Sequence, residues 1–134
     1  MYVNSSDVGT RTEAVILSAL AKAGYTVLMP FGPARYDLAI DSRDGNGIKT
    51  VQCKTGRLRA GCIVWMTYSQ HQVTHVRTDY RGQVDYFGVW CPDLAEQVYL
   101  MPVNDVGIRE GILRLDPAKK LQPTIRWAKD YLVT

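Results

Sequence analysis

Residues 36–54 read YDLAIDSRDGNGIKTVQCK, and this stretch decides the fold. Residues 36–40 and 48–54 are predicted strands because apolar and β-branched side chains recur through them. The intervening residues 41–47 are dense with Asp, Ser, Asn and Gly, which are typical of turns. We therefore predict a β-hairpin whose connection is centred on Asp44 and Gly45.

Polar side chains meet in this hairpin. Because side chains alternate along a strand, Gln52 and Lys54 share one face. The predicted connection places Asp37 opposite Gln52, where facing Cβ atoms lie about 4.5–5.5 Å apart. A connection centred instead on Asn46 and Gly47 would displace them. With the first register, Asp37, Gln52 and Lys54 converge.

A helix before the hairpin adds a fourth polar group. Residues 5 to about 23 show the apolar spacing of a helix, with a capping sequence at 4–7 (NSSD) and Gly24 at the end. Glu13 lies nearly in line with Leu20, on the stripe that faces the sheet. An acid there is costly unless a cation meets it, and a metal shared with Asp37 would supply one. The alternative is an acid at the stripe edge that complements the helix dipole.

The remaining chain adds strands, which are predicted at residues 25–28, 62–66, 84–90 and 98–103. Residues 68–83 are polar and are left unassigned, with part of them open to a helical conformation. Residues 125–132 are predicted to form one short helix. This order of elements implies an α/β or α+β domain with a mixed sheet.

Composition sets broad limits on function. A chain of 134 residues fits one domain. Its net charge of +3 permits a nucleic-acid partner without requiring one. Three cysteines without paired spacing or a secretory signal favour a reducing, cytoplasmic location over secretion. No apolar run is long enough for a membrane span, so we expect a soluble protein.

Taken in order, these motifs resemble the PD-(D/E)XK nuclease superfamily. The resemblance is carried by GTRTE at 9–13, RYD at 35–37 and QCK at 52–54. Within the superfamily the chain is most similar to archaeal-type Holliday-junction resolvases and to small homing endonucleases of group I introns. The second likeness extends through QCKTGR at 52–57, VDYFGV at 84–89 and IRWA at 125–128. The resemblance implies a restriction-endonuclease-like fold, a mixed central sheet flanked by helices, in a single nuclease domain over residues 1–134.

The resemblance also implies a catalytic set of Glu13, Asp37, Gln52 and Lys54. Mg²⁺ or Mn²⁺ would be held by Asp37, Gln52, the backbone carbonyl of Cys53, and Glu13, which together form a hard, all-oxygen site. Gln52 departs from the family pattern, which has an acid at this position. The carboxylate of Glu13 would restore the negative charge that is lost there. If it does not, the chain is a DNA-binding relative without cleavage.

Basic residues near these motifs are candidate DNA contacts. Arg11, Arg57 and Arg59 are assigned this role, and Arg57 lies within the resemblance itself. His71 and His75 are four residues apart, as zinc ligands on a helix are, but a polar or DNA-contacting loop is the favoured interpretation. Further basic residues follow later in the chain: Arg109, Arg114, Lys119, Lys120 and Arg126.

The predicted function is a metal-dependent DNA endonuclease, with a structure-selective Holliday-junction resolvase as the first choice. A site-specific homing endonuclease of the group I intron type and a non-catalytic DNA-binding relative are the alternatives. A third alternative is an unrelated α/β protein in which the motif arose by chance. Because one small site cuts one strand, cleavage of two strands implies a homodimer or a higher assembly.

Overall fold

A computed structural model of the chain describes residues 5–71, 73–116 and 122–134. Asn4 of the predicted cap and two of the later basic residues, Lys119 and Lys120, lie outside the described residues. The described elements are α1 (Ser5–Lys22), β1 (Thr26–Leu28), β2 (Leu38–Asp41), β3 (Ile48–Thr55), β4 (Arg57–Arg59), β5 (Cys62–Met66), β6 (Tyr68–Gln70), β7 (Arg77–Asp79), β8 (Tyr86–Trp90), β9 (Val98–Pro102) and β10 (Glu110–Arg114).

The predicted hairpin and its register are confirmed. β2 and β3 pair antiparallel, with Leu38 opposite Val51 and Asp41 opposite Ile48. This register corresponds to a connection centred between residues 44 and 45. The pairing continues beyond β2, because the N–H of Asp37 donates to the carbonyl of Val51 at 3.1 Å.

The hairpin belongs to a five-stranded mixed sheet in the order β1-β2-β3-β8-β9. β3 and β8 run parallel and the other pairs are antiparallel, which confirms the predicted mixed sheet. Helix α1 packs on one face and buries Ile16 and Leu20 against side chains that include Val51. The helix comes close at Gly88, where a Cβ atom would lie 3.0 Å from the side chains of both Ile16 and Val51. A larger residue there would push the helix away from the sheet.

A second sheet, in the order β10-β5-β4, covers the opposite face. Trp65 and Leu113 from this sheet pack in one cluster with Phe87 and Met101 of the central sheet. The predicted fold class, a mixed central sheet in an α/β domain, is confirmed, and α1 is the one α-helix in the described parts of the chain. Alternate residues of β5 and β10 supply an apolar face. The second sheet therefore buries the face of the central sheet opposite α1, as a layer of helices would.

Two segments differ from what the sequence suggested. The sequence leaves residues 68–83 open to a helical conformation, but the described residues between 68 and 79 form the β6–β7 hairpin and contain no helix. The predicted helix at 125–132 is reduced to a 3₁₀ turn, Ala128–Asp130. Around that turn the backbone bonds to strands, as where the N–H of Leu100 donates to the carbonyl of Tyr131 at 2.9 Å. Such partners lie far away in the chain and leave no periodic pattern.

The three cysteines, Cys53, Cys62 and Cys91, are all buried free thiols. Within residues 5–71, 73–116 and 122–134, no helix has the length and apolar character needed to cross a membrane.

Gly111 provides a test of the packing between the two sheets. A Cβ atom at this position would overlap the indole ring of Trp65, which is 1% exposed. Overpacking of this kind costs about 1–3 kcal/mol. We expect Gly111→Ala to lower the free energy of unfolding by that amount in urea titrations followed by circular dichroism. The control is Gly107→Ala, whose Cβ would meet only the Glu110 carbonyl at 3.5 Å. Equal stability of the two variants would contradict this packing.

Candidate active site

Two acids from different elements meet where α1 crosses the end of the hairpin. Glu13 lies on α1, and Asp37 immediately precedes β2. The hydroxyl groups of Thr12 and Thr55 lie 2.6 Å apart and connect the helix to the end of β3. Asp37 Oδ2 accepts a hydrogen bond of 3.0 Å from the backbone N–H of Cys53. These bonds fix both acids relative to the central strand.

The electrostatics of this pair indicate a site that lacks positive charge. The pKa of Glu13 is raised by burial, and then by the negative charge of Asp37 and a hydrogen bond between the two side chains. The pKa of the Cys53 thiol is raised by its burial and by the charges of the same two acids. A cation bound between the acids would remove their repulsion.

A cleft of about 340 Å³ opens beside the acid pair. In the described parts of the chain, no group of three or more His, Cys, Asp and Glu side chains is placed to hold a metal ion. Further ligands must therefore come from neutral oxygens and water. The cleft is lined by Ser6, Gly9, Thr10, Thr12, Glu13, Asp37, Cys53 and Thr55.

Gln52 and Lys54 share one face of β3, as predicted, and Val51 and Cys53 on the other face pack against α1. Neither side chain lines the acid cleft. Gln52 Oε1 is buried and has no hydrogen-bond partner among the described residues. A buried oxygen without a donor is costly, and a cation satisfies it as well as a hydrogen bond does. Carboxylate and amide oxygens are ligands of the kind that a hard divalent cation prefers.

Lys54 occupies a partly buried position beside an aromatic ring. Its Nζ donates to the carbonyl of Tyr68 at 3.4 Å and lies 4.8 Å from the ring centre of Tyr80. Burial lowers the pKa of Lys54 to about 8, Asp37 opposes this shift, and Arg35 adds to it. Lys54 therefore keeps its positive charge in most molecules at neutral pH.

Arg35 connects the site to the β6–β7 hairpin, and the sequence assigned it no role beyond the resemblance. Its guanidinium lies 3.8 Å from the centre of the Tyr80 ring. It also donates to Ser69 Oγ at 2.7 Å and to the carbonyl of Thr78 at 3.0 Å, and it bonds to the side chain of Gln83. All of these partners lie more than thirty residues away in sequence, so no local pattern predicts them.

The predicted DNA-contacting arginines lie apart from the acid pair. Arg59 forms a two-bond ion pair with Glu110 at 2.7 and 2.9 Å, and Arg57 approaches the same carboxylate at 3.6 Å. Both are on β4 in the second sheet, with 58% of the Arg57 side chain and 49% of the Arg59 side chain exposed. Arg11 is two residues before Glu13 and so projects from the other side of α1, where it lines a different cleft.

The two histidines lie in the β6–β7 hairpin. His71 Nδ1 accepts hydrogen bonds of 3.2 Å from the backbone N–H groups of Val73 and Thr74. His75 Nδ1 lies 3.4 Å from Gln70 Nε2. The polar-loop interpretation fits these contacts, because His71 Nδ1 organises the turn.

Arg35 is testable as the anchor of the hairpin. Arg35→Ala removes hydrogen bonds from a charged donor, so we expect hydrogen exchange of the amides in Tyr68–Gln70 and Arg77–Asp79 to accelerate by about tenfold or more. Exchange in β3 should not change.

Arg35→Lys should not restore protection, since an ammonium group cannot reproduce the guanidinium fork. The control is Arg43→Ala, because Arg43 makes one long bond of 3.5 Å to the Gly24 carbonyl. Unchanged exchange in the Arg35 variants would show that other contacts hold the hairpin.

The chain was compared with protein families and with solved structures. A family profile described as PD-(D/E)XK endonuclease matches residues 3–134. A solved structure of a bacterial homing endonuclease is similar with a TM-score of 0.70 and 24% identity, covering 96% of this chain and 89% of that one. A Holliday junction resolvase from the archaeal hyperthermophile Archaeoglobus fulgidus gives a TM-score of 0.49 and 21% identity, covering 80% and 84%. None of the curated proteins is similar enough to count as a match.

Proposed function

Because this chain belongs to the PD-(D/E)XK endonuclease family, we propose that it is a divalent-metal-dependent DNA endonuclease that hydrolyses phosphodiester bonds. The observation that carries the proposal is the hydrogen-bonded acid pair of Glu13 and Asp37 beside a lysine of lowered pKa. Residues 1–134 act in this proposal as one nuclease domain. The expected partner is DNA.

Four groups would hold the cation. Glu13 and Asp37 supply charge, while Gln52 Oε1 and the Cys53 carbonyl supply neutral oxygens. This set favours Mg²⁺ or Mn²⁺. When bound, such an ion polarises a phosphate oxygen and lowers the pKa of a coordinated water. Asp37 is held for this task by its bond to the Cys53 N–H.

Lys54 contributes the fixed positive charge of the site. Its ammonium group, confined by Tyr68 and Tyr80, orients the attacking water or the phosphate and stabilises the charge that develops during hydrolysis. Partial burial strengthens this interaction, because fewer water molecules screen it.

Metal binding can be tested without any substrate. An ion that binds only the folded protein stabilises it by about 2.7 kcal/mol at a hundredfold excess over Kd. We expect Mn²⁺ and Mg²⁺ to raise the melting temperature of the wild type, and Asp37→Ala and Glu13→Ala to abolish the rise. Gln52→Glu should enlarge it, because a charged ligand replaces a neutral one.

The control for this assay is Glu96→Gln, which removes an exposed acid distant from the cleft. A melting-temperature rise that is equal in Asp37→Ala and Glu96→Gln would exclude the acid pair as the metal site.

Cleavage is the direct test of the proposed activity. We expect wild-type protein with Mg²⁺ to cut DNA, and Asp37→Ala and Lys54→Ala to lose about 10²-fold or more of the rate. DNA affinity of both variants should survive, since the phosphate backbone supplies most of it. Binding without cutting under any divalent metal would favour the non-catalytic relative. Undiminished cleavage by both variants would contradict the site assignment.

The preferred DNA form is a separate prediction. Junction resolution and site-specific homing cleavage both follow from the resemblance. A four-way junction and a linear duplex with the same arms, cut in parallel, separate these two activities. Paired nicks at the junction would support a resolvase working as a homodimer, whose two sites act on two strands. Sedimentation analysis measures the assembly independently.

A further inference from the structure

The β6–β7 hairpin is a ribbon exposed to solvent. Its two strands form a separate two-stranded sheet, with Tyr68 opposite Asp79 and Gln70 opposite Arg77. Every described residue from 70 to 79 is exposed. Few side chains of the hairpin are buried, so core packing does not explain its sequence. Most of its side chains face the solvent.

The exposed side chains suit the edges of DNA bases. The ribbon has one basic side chain, Arg77, and one acid, Asp79, which accepts a bond of 2.9 Å from the Arg81 N–H. Its apolar residues Val73 and Val76 are 81% and 60% exposed. Amide, hydroxyl and imidazole groups read base edges, and apolar groups contact the thymine methyl. The exposed polar members are Gln70, His71, Thr74, His75 and Thr78.

The base of the ribbon is attached to the candidate active site. Arg35, two residues before Asp37, bonds to Ser69 on one strand and to Thr78 on the other. Lys54 donates to the carbonyl of Tyr68, the first residue of the ribbon. A duplex in contact with the ribbon would therefore present its backbone to the catalytic groups.

The other basic surface is less available. Arg57 and Arg59 are partly neutralised by their shared ion pair with Glu110, which leaves the ribbon as the exposed polar element connected to the site.

We propose that the β6–β7 hairpin is a base-reading ribbon that enters the major groove beside the phosphate to be cut, so that cleavage is selective for base sequence. The major groove, about 12 Å wide, admits a two-stranded ribbon. This inference rests on the proposed function, since it assumes that DNA is the substrate. It places sequence recognition in the hairpin and hydrolysis at Glu13, Asp37 and Lys54.

The test is selection from a duplex library with a randomised segment, using the full chain in Ca²⁺ so that bound DNA is recovered and sequenced. Wild type should enrich a defined base sequence. Gln70→Ala and Val76→Ala should each weaken the preference at one or two base pairs by about tenfold. Arg77→Ala should lower the affinity for every sequence. It should also reduce the slope of log affinity against log salt concentration by about one, the amount expected for one lost phosphate contact.

The control is Lys22→Ala, which removes an exposed charge from the last turn of α1 and should change neither preference nor affinity. Circular dichroism confirms that each variant is folded. Base preferences that are identical in Gln70→Ala, Val76→Ala and wild type would overturn the inference and leave the endonuclease proposal intact. So would wild-type binding that follows junction shape regardless of sequence. Absence of any DNA binding by wild type would overturn both.

Discussion

The bond from the Cys53 N–H to Asp37 Oδ2 is the interaction on which the site depends. It forms because the β2–β3 register brings residue 37 beside residues 52 and 53. A shift of one residue in that register would reverse which face each β3 side chain occupies. Val51 would then leave the helix-facing core, and Gln52 would enter it. The packing of α1 and the position of Asp37 therefore impose the same register.

β3 divides the protein into two environments. On one side α1 brings Glu13 to Asp37, and on the other Tyr80 and the β6–β7 hairpin surround Lys54. The pKa of Lys54 is lowered chiefly by its own burial, and the negative charge of Asp37 opposes that shift. Opposite charges can then act on different parts of one phosphate, as the proposed hydrolysis requires.

Prediction from sequence succeeded where structure is local. The 41–47 turn and the alternation in β3 specify the hairpin, and helical spacing specifies α1. Strand β10 and the β6–β7 hairpin were missed because polar or short segments carry weak periodicity. The role of Arg35 was missed for a different reason: its partners, such as Ser69 and Thr78, are adjacent only in the folded chain. The ion pair between Arg59 and Glu110 was missed for the same reason, because the two residues are far apart in the sequence.

The parallel pairing of β3 with β8 has a consequence for the order in which the domain assembles. Residues 56–85 form the connection between these two strands and contain β4, β5 and the β6–β7 hairpin. Helix α1, β1, β2 and β3 are consecutive, so their mutual contacts close short loops and form early in folding. The β3–β8 pairing must wait for closure of the long crossover, which is entropically slower. We therefore expect the two acids to come together with the early half of the chain, before the crossover that carries Tyr68 and Tyr80 has closed around Lys54.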